Sequence, residues 1–215
     1  YEVASGISVL SIDELGQGGF LRVLFGRDTS FRYSGMSANA VDFSEFSQYN
    51  MIALNGLQTI GAGLALEARR YVEQGGHLVI FPGSSAGLSS YNEFLSGMGL
   101  DVYSRLDTAG YRVSTLNDGH SLYTDVFESL PENIDLPRTL QHYVIGRSTR
   151  SGGQTLMNLQ NGDPFFVAYP YGRGKVFLSA VPLDDDFSNF QRHAVFVPTL
   201  VNIALQSGSF QPLYH

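Results

Sequence analysis

The stretch "LEARRYVEQGGHLVIFPGSSAGL", residues 66 to 88, decides how this chain is read. Its first half is helical. Counting from Leu64, Ala68, Tyr71 and Val72 recur at i+4, i+7 and i+8, while Glu67, Arg70 and Glu73 fall elsewhere on the cylinder. Gly75-Gly76 then stops the helix at about residue 74, because glycine takes the left-handed conformation at little cost. "HLVIF" follows at once as an apolar run without polar alternation. A similar run, "YNMIALNGL" (49–57), precedes the helix, so the segment reads as strand, helix, strand with a right-handed crossover. Strands apolar on both faces belong to a parallel sheet covered by helices on each side.

Working outward, "ISVLSID" (7–13) is a first strand ending on Asp13, and "GGFLRVLFG" (18–26) has helical spacing. "FRYSGM" (31–36) is a short second strand, and "DFSEFSQ" a polar helical turn. On the other side, "YNEFLSGMGL" (91–100) is a short helix closed by glycine. Residues 101–150 change character: "DVYSRL", "YRVSTL" and "HYVIGR" are short alternating pieces, expected to form a β-rich insertion. From 154 to 182, Asn161-Gly162 and the turn Tyr171 to Gly174 join strand-like runs into an antiparallel meander. The tail runs into a core helix with Pro198 in its first turn. The expectation is one α/β domain over 1–215: a mostly parallel sheet flanked by helices in a flavodoxin-like three-layer sandwich. Antiparallel strands are added in its C-terminal half.

Composition narrows the chemistry. With 215 residues and 43% hydrophobic content, the chain is long enough for a substantial core. A net charge of -7 and the lack of a basic patch exclude nucleic acid as a partner. There is no cysteine, hence no disulfide, thiolate metal site or cysteine nucleophile. The sole lysine, Lys175, sits in no phosphate-loop or Schiff-base context, so no cofactor is expected. The chain opens on Tyr1 rather than Met, so it reads as a fragment or processed product, and with no 18-residue apolar window no segment of it is expected to span a membrane. Any membrane contact would come through segments outside it.

Gly83 to Gly87 satisfies G-x-S-x-G, the pattern of a strained turn that exposes a serine nucleophile above a sheet. Ser85, an acid from Asp184-Asp185-Asp186 and His193 then follow the Ser…Asp…His order of α/β-hydrolases. Against that, Gly87, Ser89 and Ser90 delay the helix an elbow needs, and no oxyanion segment such as HGGG is present. The simpler reading makes Gly83-Ser84-Ser85 a turn whose hydroxyls serve loop backbone. The three aspartates suit a hard cation or, more plainly, a solvated loop, and no metal is assigned. His120 is expected in a surface turn, and His142 on a half-exposed strand face. In open α/β sheets ligands gather at the carboxyl ends of strands, which makes Asp13, Asn55, Ser84, Ser85 and Asp184 the candidate ligand-binding residues.

Four segments carry a resemblance: "YNMIALNGL", "LEARRYVEQGGHLVIFPGSSAGLSSYNEFL", "FVAYPYGRGKVFLSAVPL" and "SNFQRHAVFVPTLVNIAL". Together they resemble the class I glutamine amidotransferase-like fold. They look in particular like a divergent group in large bacterial membrane proteins with an N-terminal BatA-type region. Enzymes of that fold carry a cysteine at the elbow and His-x-Glu after a late strand. Here Ser85 stands at the first position and Val181-Pro182-Leu183 at the second. The resemblance therefore implies a non-catalytic module that binds an unidentified protein or small molecule. It also implies a membrane-anchored bacterial parent that places the domain in the periplasm. Ser85 and His193 remain the catalytic candidates of the alternative, a serine hydrolase.

Overall fold

A computed structural model describes residues 6–124 and 135–207. In chain order its elements are β1 (Ile7–Asp13), α1 (Gly19–Gly26), β2 (Phe31–Ser37), β3 (Met51–Leu57), α2 (Ala62–Glu73), β4 (His77–Pro82) and α3 (Leu88–Gly97). There follow β5 (Tyr103–Asp107), β6 (Tyr111–Leu116), β7 (Arg138–Thr139), β8 (His142–Ile145), β9 (Gln154–Leu159), β10 (Pro164–Tyr171), β11 (Gly174–Ser179) and α4 (Phe196–Ser207).

One large sheet runs β2-β1-β3-β4-β11-β10-β9-β6-β7. The first five strands are mutually parallel, and β10, β9, β6 and β7 continue the sheet antiparallel. The fold is thus α/β, with a mostly parallel half and antiparallel strands added by the C-terminal half. Every residue of β3 and β4 is buried, which is why neither shows polar alternation in sequence. Because β1→β2 and β3→β4 build in opposite directions, right-handed crossovers put α1 and α2 on opposite faces. The α2 helix buries Leu64, Ala68, Tyr71 and Val72, the stripe its spacing indicates.

The glycines that flank β4 and β11 meet each other. A Cβ on Gly76 would lie 2.2 Å from the Tyr71 ring, and one on Gly174 would lie 2.2 Å from the Gly76 carbonyl oxygen. Backbone approaches backbone there, so side chains are excluded and the two strands enter the sheet side by side. Phe81, Phe166, Phe190 and Phe196 pack ring against ring, joining β4, β10 and α4 in one core.

Strands β5 and β8 form a separate antiparallel pair. It lies over the carboxyl ends of β4 and β11: Tyr103 donates its hydroxyl to the Ser179 carbonyl at 2.5 Å, and Tyr143 donates to Gly83 at 2.7 Å. The expectation for His142 is corrected here. Its residue is fully buried rather than half exposed, because the Tyr111 ring and the β9–β10 turn close over it.

Candidate functional site

The chain leaves β1 toward β2 on one side and reaches β3 on the other, so the strand order reverses between β1 and β3. Ligands of open α/β sheets bind outside the carboxyl ends at such a reversal. Asp13 and Asn55 are register partners there. Asn55 donates its amide to Asp13 Oδ1 at 2.8 Å and to the Gln17 carbonyl at 2.6 Å, and Ser11 donates to the same Asp13 oxygen at 2.5 Å. Only 1% of Asn55 is exposed, and its amide clamps the β1–α1 loop through the Gln17 carbonyl. Asp13 is half-buried and its Oδ2 faces Gly18 and Gly35, where it lines a cavity with Glu14, Arg22 and Met36.

The same loop borders an open cleft of about 500 Å³ between α1 and the start of α4. Phe20, Val23, Leu24, Leu183, Phe196 and Val197 line it, with Gln17 and Gln191 as polar points. Val23 and Val197 stand at its rim, each about half exposed at 52%. Arg192 lies over the Phe20 ring at 5.1 Å, and Asp185 holds that guanidinium through two bonds of 2.7 and 2.8 Å. Among the described residues, neither apolar packing nor hydrogen bonding closes the cleft.

At the end of β4, Ser84 donates its hydroxyl to Asp184 Oδ2 at 2.5 Å, so two of the sequence-derived candidates do come together. Asp184 also accepts the Asp186 N–H at 2.8 Å and acts as the cap of its own loop. The Tyr143 hydroxyl closes the turn, donating to the Gly83 carbonyl and accepting from the Ala86 N–H at 3.2 Å. Burial raises its pKa, so the donor stays protonated.

Ser85 is exposed and has no hydrogen bond to another described residue. No described non-glycine residue has positive φ, so Ser85 does not sit in a strained elbow, and α3 begins three residues later at Leu88. His193 has other partners: its Nδ1 accepts the Val195 N–H at 3.1 Å, and its Nε2 lies 3.5 Å from Asp135. His120 Nδ1 accepts the Leu122 N–H. Asp185 pairs with Arg192, not with His193. Among the described residues the geometry assembles no serine–histidine–acid triad. Val181, Pro182 and Leu183, which follow β11, are buried and offer no base.

Sequence reasoning missed Gln17 and Tyr143, which shape the edge through bonds that no local pattern announces. It also missed Asp107, His142 and Asp163, which converge among the described residues. Asp107 and His142 meet only through cross-strand register, and Asp163 only through the fold of a hairpin.

No protein-family model and no curated protein matches the chain. Solved structures do. A cytoplasmic protein from Salmonella typhimurium superposes with a TM-score of 0.71 at 13% identity, over 94% of this chain and 98% of that one. A ThuA-like protein from Parabacteroides merdae gives a TM-score of 0.63 at 14% identity, covering 98% and 92%. The fold is amidotransferase-like. A β-galactosidase from Bacillus circulans matches with a TM-score of 0.60 at 14% identity; 99% of this chain lies on 32% of that enzyme. At these identities the likeness shows the fold alone. No helix among the described residues is long and apolar enough to cross a membrane.

Proposed function

We propose that this amidotransferase-like domain is a non-catalytic binding module that takes an apolar group of its ligand into the cleft between α1 and α4. The observation that carries this reading is a contrast at the sheet's carboxyl edge. The polar side chains are engaged with one another, as Asp13 with Asn55 and Ser84 with Asp184, while the apolar cleft beside them stays open. A pocket with apolar walls and a few polar points is the usual form of a small-molecule site. Gln17 and Gln191 would orient the ligand, and Asn55 would hold the loop that carries Gln17 in place. Valine and leucine replace the His-x-Glu pair, so glutamine hydrolysis has no base. The membrane-anchored, periplasmic setting belongs to this proposal on the resemblance of the four segments; the Salmonella neighbour is described as cytoplasmic.

The test uses 1-anilinonaphthalene-8-sulfonate as an apolar probe and p-nitrophenyl acetate as an ester. The native protein should bind the probe at one equivalent. Val23→Asp and Val197→Asp, both at the exposed rim, should weaken that binding at least tenfold with an unchanged melting temperature. Ester hydrolysis should be the same in wild type and Ser85→Ala. Probe binding indifferent to both rim substitutions would overturn the cleft, and hydrolysis abolished by Ser85→Ala would overturn the non-catalytic reading.

A further inference from the structure

We infer that Asp107, His142 and Asp163 form a binding site for a divalent transition-metal ion of the zinc class, apart from the cleft proposed above. Asp107 ends β5 and His142 opens β8, directly opposite each other in the antiparallel register. Directly opposed residues project to the same face of a strand pair, which brings the carboxylate beside the imidazole. Asp163 arrives from the turn between β9 and β10, so the three ligands come from three separate parts of the chain. One ring nitrogen of His142 and one oxygen of each aspartate lie within 4.8 Å of one another. A first-row divalent ion holds such ligands at about 2.0–2.2 Å, so seating it takes small side-chain rotations that part His142 from Asp163 and bring Asp107 closer.

The state of His142 points to a ligand. Its residue is fully buried, its Nε2 lies 2.8 Å from Asp163 Oδ2, and its buried Nδ1 has no hydrogen-bond partner. Among the described residues no acceptor competes for a proton on Nδ1 or fixes it there, and with the proton on Nδ1 the ring turns the Nε2 lone pair toward Asp163, where a cation between the two would take it. The two aspartates are only partly covered, with side chains 12% and 24% exposed, so an ion reaches the cluster from solvent.

The surroundings also hold the ligands in place. Asp107 Oδ1 accepts the Ala109 N–H at 2.9 Å, and Asn161 donates its amide to Asp163 Oδ2 at 3.0 Å. The Tyr111 ring stands edge-on to His142 at 5.7 Å. Outer partners of this kind orient metal ligands. Among the described residues Arg105 lies 3.8 Å from Asp107, but at 63% exposed it neutralises little. An imidazole with two carboxylates favours zinc, manganese or cobalt over magnesium and calcium, which take oxygen ligands. A bound ion would clip the β5–β8 pair to the β9–β10 hairpin.

The experiment titrates the untagged 215-residue chain with zinc chloride by calorimetry in a non-chelating buffer, and follows melting with zinc or with EDTA. Binding at one equivalent is expected, with a melting temperature about 5–10 °C higher once zinc reaches a hundredfold excess over Kd. Asp107→Asn and Asp163→Asn are conservative and partly exposed, and each should weaken binding at least tenfold. His120→Ala and His193→Ala should leave it unchanged. Cobalt at the same site should give a visible absorption band that Asp107→Asn removes. The inference is overturned if zinc neither binds at one equivalent nor raises the melting temperature, or if both asparagine variants bind as wild type does. Probe binding in the α1–α4 cleft is independent of either result.

Discussion

The Tyr143 hydroxyl and the Gly83 carbonyl lie 2.7 Å apart, and the same hydroxyl accepts the Ala86 N–H at 3.2 Å. One side chain from β8 therefore closes the turn after β4 that carries Ser84 and Ser85. Tyr143→Phe leaves a buried carbonyl without its donor, and each orphaned buried group costs about 1–3 kcal/mol. Urea unfolding should show a loss of about 1–3 kcal/mol. Amide exchange at Ala86 should accelerate more than exchange in β1. A variant as stable as wild type, with Ala86 equally protected, would mean the turn stands without Tyr143.

Asn55 and Asp13 allow a sharper test. Asn55→Asp places a second carboxylate where the amide now donates to Asp13 at 2.8 Å. Two carboxylates so close share a proton, which raises the folded pKa of the pair above the unfolded value of about 3.9. A raised folded pKa contributes stability at low pH that is lost as pH rises. The variant should therefore fall behind wild type by several kcal/mol at pH 7.5, and the gap should narrow toward pH 4.5. A gap independent of pH would show that the two side chains do not touch.

His77 works in the opposite sense. It is buried in β4, with its Nδ1 at 3.1 Å from the Ile203 carbonyl, and burial lowers its pKa to about 4. The unfolded chain binds that proton near pH 6.5, so stability is lost as pH falls from about 6.5 toward 4, by roughly 3 kcal/mol in all. Unfolding free energies at pH 7.5 and 4.5 measure this directly. In His77→Gln the drop between the two should shrink by most of that amount. An equal drop in both proteins would assign acid sensitivity to other groups.

Asp101 is the best-satisfied buried charge in the described chain. Its carboxylate accepts from Arg147 at 2.5 Å, Tyr169 at 2.7 Å, the Ser148 N–H at 2.9 Å and Ser151 at 3.2 Å. Asp101→Ala takes the acceptor from Tyr169 and the Ser148 N–H, while Arg147 keeps the Gly153 carbonyl and Thr155, so a loss of about 2–3 kcal/mol is expected. Adding Arg147→Met should restore part of it, which a double-mutant cycle measures. Additive losses would show that the pair does not act together.

Much of the architecture is legible in local pattern. The stripe from Leu64 to Val72 indicates α2, and Gly75-Gly76 marks where it stops, within two residues of the observed bounds. The third helix is harder. It starts at Leu88 rather than near 91, because its early serines are used in tertiary contacts: Ser90 accepts the Ile60 N–H at 3.0 Å. Those serines discourage a helical reading until that partner is known. His142 shows the same limit, since strand alternation indicates a half-exposed face and a distant turn covers it.

Residue order by itself determined what depends on near neighbours: where apolar residues recur every 3.6 or run unbroken, and where glycine permits a stop. From that followed the βαβ unit, the parallel half of the sheet and the hairpins after residue 154. Only the tertiary structure decided which polar groups meet. Ser84 finds Asp184 across 100 residues of chain, and Tyr143 finds Gly83 across 60. Hydrogen bonds and ligand clusters form over about 3 Å, a precision set by strand register and packing rather than by spacing along the chain.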